Sequence, residues 1–177
     1  MDKAELSAKI KAKATELGFD LCGIAEANFL EKEARDLEEW LNRGYHGKMA
    51  YMENHFDKRT DPRKLVEGAK SVISILHNYL PQPQYQQPEG MPKISTYAWG
   101  EDYHRVLKRK LHTLLLYIKE IHGEVAARVF TDSAPVMDKV WAARSGLGWI
   151  GKNTNLIHPK MGSWFFIGEI ILDVALD

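Results

Sequence analysis

The chain has 177 residues with 24 Lys and Arg against 24 Asp and Glu, so no net field draws it to nucleic acid. Contact with a polyanion would rest on a local patch or on another segment. Hydrophobic residues make up 45%, ordinary for a soluble globular protein, and the length suits one domain with a sizeable core. The single cysteine, Cys22, excludes an internal disulfide framework and any iron–sulfur cluster held by several thiolates of this chain. The charged, helix-periodic start does not read as a secretory signal, and no apolar run approaches membrane-spanning length. A cytoplasmic location without membrane contact is expected.

Leu6, Ile10, Ala14 and Leu17 recur at helical spacing, and Gly18 ends that helix. "DLCGIAEA" is a short strand. Leu30, Ala34, Leu37 and Leu41 mark a second amphipathic helix that stops at Gly44. The following "GYHGKMAYMENHFDKRTDPRKLVEGAK" has little period and reads as a short helix and a loop. "KSVISILHNYL" is continuous and β-branched, as in a strand buried on both faces. "PQPQYQQPEGMPK" is a polar loop, long enough to be functional or mobile. "ISTYAWGEDYH" reads as a strand leading into a helix whose buried face is Val106, Leu107, Leu111, Leu114, Leu115, Ile118 and Ile121. "EVAARVF" is the next strand, and "TDSAP" turns it into a helix with Pro135 in the first helical turn. "TNLIHP" and "SWFFIGEIILD" are strands near the end. The irregular alternation predicts an α/β (α+β) fold with a mixed central sheet flanked by helices. The stop at "LDVALD" soon after a buried strand suggests the edge of a domain within something longer.

"GLGWIGKN", residues 146–153, spells G-x-G-x-x-G followed by a lysine. A dinucleotide-binding loop follows a strand and opens a helix. Here the glycines follow a helix and lead to a strand, so Gly146 reads as a helix C-cap. Asp132 lies at a strand end, where α/β folds place ligands, and the competing reading makes Asp132 or Ser133 a helix N-cap. A helix N-terminus would lower a carboxyl pKa, so a proton-donor role needs strong desolvation. The seven histidines show no metal-binding spacing. His104 in "EDYHRVL" reads first as a helix-start residue bonded to nearby backbone. Arg59 is a solvated loop residue on base rates, though a ligand amide or phosphate could use it. Tyr97 and Trp99 are more often core than cofactor box, and Lys152 and Asn153 could meet a ligand.

"GYHGKMAYM", "KRTDPRKLVEGAKSVI", "ISTYAWGEDYH", "DSAPVMDK" and "GLGWIGKN" occur together, in this order. In that set the chain resembles the epoxyqueuosine reductase family over nearly its whole length, residues 1–177 matching the cobalamin-binding catalytic domain. The resemblance implies a fold like flavin nitroreductases and the corrinoid domain of reductive dehalogenases. It implies base-off cobalamin, and two four-iron four-sulfur clusters in a following domain whose cysteines this chain lacks. Corrinoid enzymes with a histidine lower ligand use D-x-H-x-x-G; Asp102 and His104 fit its first half, but Leu107 stands where glycine is needed. No residue of this chain is expected to ligate a metal.

The resemblance makes Asp132 the proton donor. It places Arg59, Ser95, Asp132, Leu156 and Ile167 at cobalamin contacts with Asn153 beside them, and His104 and Lys139 towards the substrate. The implied reaction reduces epoxyqueuosine to queuosine at the wobble position of tRNA. The anticodon loop is then the substrate, met mainly through other domains, and a low-potential donor supplies electrons. Corrin face and nucleoside would exclude water from Asp132 and raise its pKa. The alternatives are a flavin-binding oxidoreductase of nitroreductase type and a non-catalytic corrinoid-binding module.

Overall fold

A computed structural model describes residues 2–80, 89–132 and 134–177. Helix α1 (Lys3–Glu16) is capped by Asp2 and leads into β1 (Leu21–Glu26). Helix α2 (Glu31–Asn42) follows, then a 3-10 turn (Ala50–Met52), the short α3 (Phe56–Thr60) and a second 3-10 turn (Pro62–Lys64). Strand β2 (Ser71–Asn78) carries the continuous apolar run, with Val72, Ile73, Ile75 and Leu76 fully buried. The long α4 (Tyr103–His122) precedes β3 (Ala127–Phe130), α5 (Asp138–Arg144), the two-residue strands β4 (Trp149–Ile150) and β5 (Leu156–Ile157), and β6 (Phe165–Leu172).

The main sheet has the order β1-β2-β6-β3, so the strand that comes last in the sequence lies inside the sheet. The expectation of a helix-flanked sheet holds. In strand direction it is simpler than the irregular alternation suggested, because all three ladders are antiparallel. β2 reads like a parallel strand because helices cover both its faces, and that coverage removes the polar alternation whatever the strand direction. One face carries Ile73, Ile75, Ile170 and Leu172 against Leu6 and Ile10 of α1 and Leu107, Leu111 and Leu114 of α4. On the other face Val72 and Ile171 meet Leu30, Val136 and Trp141, and Leu76 meets Ala142, Leu147 and Leu156. No described helix is long and apolar enough to cross a membrane.

Three local expectations change. Residues 94–98 are not a strand but pass through a 3-10 turn (Thr96–Ala98). The Trp99 indole donates to the Ile94 carbonyl at 3.0 Å, and the Ala98 amide donates to the Ser95 carbonyl, which folds the segment on itself. Pro135 is not in the first helical turn, since α5 begins at Asp138 after Met137, with no side-chain cap. Asp132 is therefore not the N-cap of α5, and Ser133 lies outside the described residues. The Pro- and Gln-rich stretch also lies outside them over residues 81–88.

Gly146 does end α5. With φ +76° it lets the amides of Gly146 and Leu147 donate to the carbonyls of Ala143 and Ala142, the paired bonds of a Schellman cap. Beyond it the glycine-rich stretch forms the β4–β5 hairpin. A Cβ on Gly148, at φ +152°, would stand 2.3 Å from the Ile157 carbonyl oxygen. These glycines shape a hairpin, not a phosphate loop.

Candidate functional site

Asp132 sits two residues past the end of β3, and α4 aims two side chains at it. Asp102 caps α4 by accepting from the His104 amide at 2.9 Å, which fixes the first helical turn. From that turn the Tyr103 hydroxyl donates to Asp132 Oδ2 at 2.6 Å, and His104 Nε2 lies 3.1 Å from the same oxygen. His104 Nδ1 meets Asp102 Oδ1 at 2.8 Å. The imidazole is thus held between two carboxylates, while the Tyr103 ring stacks on Phe166 of β6 with centroids 4.0 Å apart.

The charges follow from these contacts. The Tyr103 hydroxyl holds the Asp132 carboxyl below the usual range; burial opposes it, and the contact with His104 adds a further lowering. Asp102, and then Asp132, raises the His104 pKa. Asp102 is lowered by the bonds from His104. Burial first, and then the bond to Asp132, pushes the Tyr103 phenol far up, so it stays a donor. In the bare site these contacts favour a protonated imidazole between two charged aspartates.

Asp132, Arg59, His55 and Tyr51 line one cavity of about 430 Å³. Arg59 also borders an adjoining cavity of about 380 Å³ with Met137, Lys139, Ile150 and Thr154. On the other side of Tyr103, a cleft of about 470 Å³ is walled by Tyr79, Tyr97, Trp99 and Phe166. All three volumes fall in the range of small-molecule sites. Among the described residues only His55, Asp132 and Thr154 are non-glycine residues with positive φ, at 58°, 58° and 65°. All three border the two cavities that share Arg59. Such backbone costs roughly 1–3 kcal/mol per residue and clusters at ligand sites.

Of the residues singled out in the sequence, the structure brings together Asp132, His104 and Arg59 around these openings. Arg59 is half-buried, and its Nε is buried with no hydrogen-bond partner among the described residues. Lys139 borders the cavity next to that of Asp132, where its Nζ donates to the Thr154 carbonyl at 3.0 Å. Asn153 is exposed, and its Oδ1 accepts from the Asn155 amide. The Leu156 side chain is buried in the core, while Ile167 packs half-buried against the same cluster. Ser95 is exposed at the start of the 3-10 turn beside the aromatic cleft. The sequence reading missed Tyr103, Phe166 and His55. Tyr103 stood between two residues already marked, but its partner lies 29 positions away. Only the fold supplies that partner.

A family model described as epoxyqueuosine reductase QueG, DUF1730, matches residues 59–133. A relative from Leadbetterella byssophila named epoxyqueuosine reductase is 62% identical over 173 residues, covering 97% of this chain and 56% of its own length. The chain is a partial homologue of the epoxyqueuosine reductases. It spans about half the length of the curated relatives it matches. The epoxyqueuosine reductase from Streptococcus thermophilus superposes with a TM-score of 0.87 at 28% identity, over 96% of this chain and 46% of that one. An epoxyqueuosine reductase structure with an epoxyqueuosine-modified tRNA-Tyr stem loop gives 0.84 at 25% identity, over 98% and 46%. A reductive dehalogenase whose structure bears on B12-dependent dehalogenation shares the fold, with a TM-score of 0.64 at 16% identity, over 100% and 21%.

Proposed function

We propose that residues 1–177 form the cobalamin-binding, proton-delivering part of an enzyme that reduces epoxyqueuosine to queuosine in tRNA. The observation that carries this reading is the convergence of Tyr103 and His104 on one oxygen of Asp132, at the mouth of a cavity bordered by strained backbone. An epoxide oxygen needs a proton as its C–O bond opens, and a positioned carboxyl supplies one. Tyr103 and His104 orient Asp132 for that transfer.

The residues fit a corrinoid. A broad macrocycle rimmed by amides needs an apolar floor and outward-facing donors. Val136, Met137 and Ile150 supply apolar floor, and the unpartnered Arg59 Nε supplies a donor. Arg59, Ser95, Asn153, Leu156 and Ile167 would hold the group, Leu156 through its backbone because its side chain is in the core. When bound and reduced to cob(I)alamin, the cofactor supplies a very strong reductant or nucleophile. Both ring nitrogens of His104 already face carboxylates, which supports binding without a cobalt ligand from that residue. In the bare site the Asp132 carboxyl lies below its usual range, not above it. Covering by corrin and nucleoside would withdraw water and move it upward.

The low-potential donor and the two clusters belong to other segments or partners, as does most of the tRNA contact, and the working location is the cytoplasm. Titration with cob(II)alamin tests the reading. A base-off electron paramagnetic resonance spectrum without nitrogen superhyperfine splitting is expected, and such splitting overturns base-off binding. A flavin absorbance spectrum in the purified protein, with no corrinoid uptake, overturns cobalamin altogether.

A further inference from the structure

We propose that His104 is a proton relay that recharges Asp132 within each turnover, with Asp102 as the residue that holds the imidazole in its donating orientation. This rests on the epoxide-reducing function proposed above. Taking an epoxide to an alkene breaks both C–O bonds, forms one C=C bond and releases the oxygen as water. The balance is two electrons, from a low-potential one-electron donor acting twice, and two protons. Asp132 carries one proton, so a second must reach the same oxygen while bound nucleoside covers the carboxyl.

The geometry provides that route. His104 Nε2 lies 3.1 Å from Asp132 Oδ2 and Nδ1 lies 2.8 Å from Asp102 Oδ1, so a protonated imidazole donates to both carboxylates at once. After the first proton leaves Asp132, transfer from Nε2 restores the neutral acid and leaves a neutral imidazole. The His104 side chain is 35% exposed and that of Asp102 55%, so water reaches the pair and can reload the imidazole. Tyr103 cannot replace it, because its phenol does not ionise in the working range. The charged groups in play are Asp102 and Arg105 at the start of α4, Asp132 on the turn after β3, and Asp138 of α5 behind Asp132. The D-x-H pair that fails as a cobalt-ligand motif thus works as a carboxylate–imidazole dyad.

The test uses full-length protein loaded with cobalamin and measures kcat and KM for modified tRNA against pH, beside NMR titration of the His104 ring. Asp102→Asn is expected to lower the His104 pKa and to shift the alkaline limb of kcat to lower pH, with KM unchanged. His104→Gln is expected to lose about tenfold or more in kcat on the alkaline side. Added imidazole restores part of that rate. A purely structural His104 would instead change KM or cobalamin binding and leave the profile in place. An Asp102→Asn profile that superposes on the parent, or His104→Gln within twofold of the parent at every pH, overturns the relay. If His104→Gln does not fold, the Asp102→Asn profile and the ring titration decide. A parent that binds cobalamin but reduces no epoxide fails the proposed function instead, and the ring titration still reads the His104–Asp132 coupling.

Discussion

Tyr103 joins two parts of the molecule: its hydroxyl donates to Asp132 at 2.6 Å while its ring lies within 1° of parallel to Phe166. Tyr103→Phe keeps the stack and removes the donor. The Asp132 carboxyl should then rise towards its ordinary pKa, because the largest cause of its lowering is gone. Carbon-13 NMR of the carboxyl reads the shift, and an unmoved Asp132 would mean that His104 sets the charge alone.

Asp132→Asn preserves shape and removes the transferable proton. With cobalamin fully bound, turnover of full-length protein should fall by about 10²–10⁴-fold. Activity within a few-fold of the parent would leave Asp132 a positioning group and shift the donor role to His104 or a bound water.

Arg59→Ala should weaken cobalamin binding about tenfold or more, the scale of one lost charge-assisted hydrogen bond. Folding should change little, since the Nε has no partner among the described residues to lose. Equal affinity in the variant, measured by absorbance titration, would remove Arg59 from the cofactor site.

Glu169 is buried in β6 with Oε1 unpartnered among the described residues, and burial, then Asp138, pushes its pKa well above the usual value. An acid with a raised folded pKa binds more protons folded than unfolded between the two values. Its stability contribution is therefore present below the unfolded pKa and lost as pH rises through the folded one. Glu169→Gln should flatten the fall in stability from mildly acid to alkaline pH, as read by denaturant midpoints. A variant with the parent's slope would assign that pH dependence to other groups.

The 177-residue chain alone should not turn over with flavodoxin or ferredoxin, because one cysteine cannot hold a four-iron cluster. With zero formal net charge it should also bind tRNA weakly, with a shallow salt dependence. Steady product formation from the isolated chain refutes the first statement, and a steep salt slope the second.

Legibility differed by element. The α4 stripe was readable because its burial repeats at the helical period, and β2 and β6 were readable as short continuous apolar runs buried on both faces. Gly146 was readable because a Schellman cap needs one residue at positive φ. Residues 94–98 misled: β-rich composition describes a half-buried surface, and this segment pairs with no strand among the described residues. The α5 start was misplaced because "TDSAP" has the chemistry of a helix entry, while Asp132 is turned to φ 58° to meet α4. The paired strand β4 went unread because two residues carry no period. Asp132, His104 and Arg59 were named as single residues, but the shared oxygen and the role of Tyr103 come from tertiary contact alone.

The position of β6 sets the order of assembly. β1 and β2 can pair as soon as both exist, but among the described residues β3 has only β6 as a ladder partner, and β6 also closes the other edge of β2. Ser71 pairs with Leu172 across about a hundred residues of chain, a loop closure that slows folding far more than it lowers stability. During synthesis α4 and β3 are made long before the strand that docks them emerges. Phe166, the platform under Tyr103, arrives on that same strand. The Tyr103–Phe166 stack therefore waits on the last strand, and slow β6 docking would leave Tyr103, and with it the contact to Asp132, without its platform.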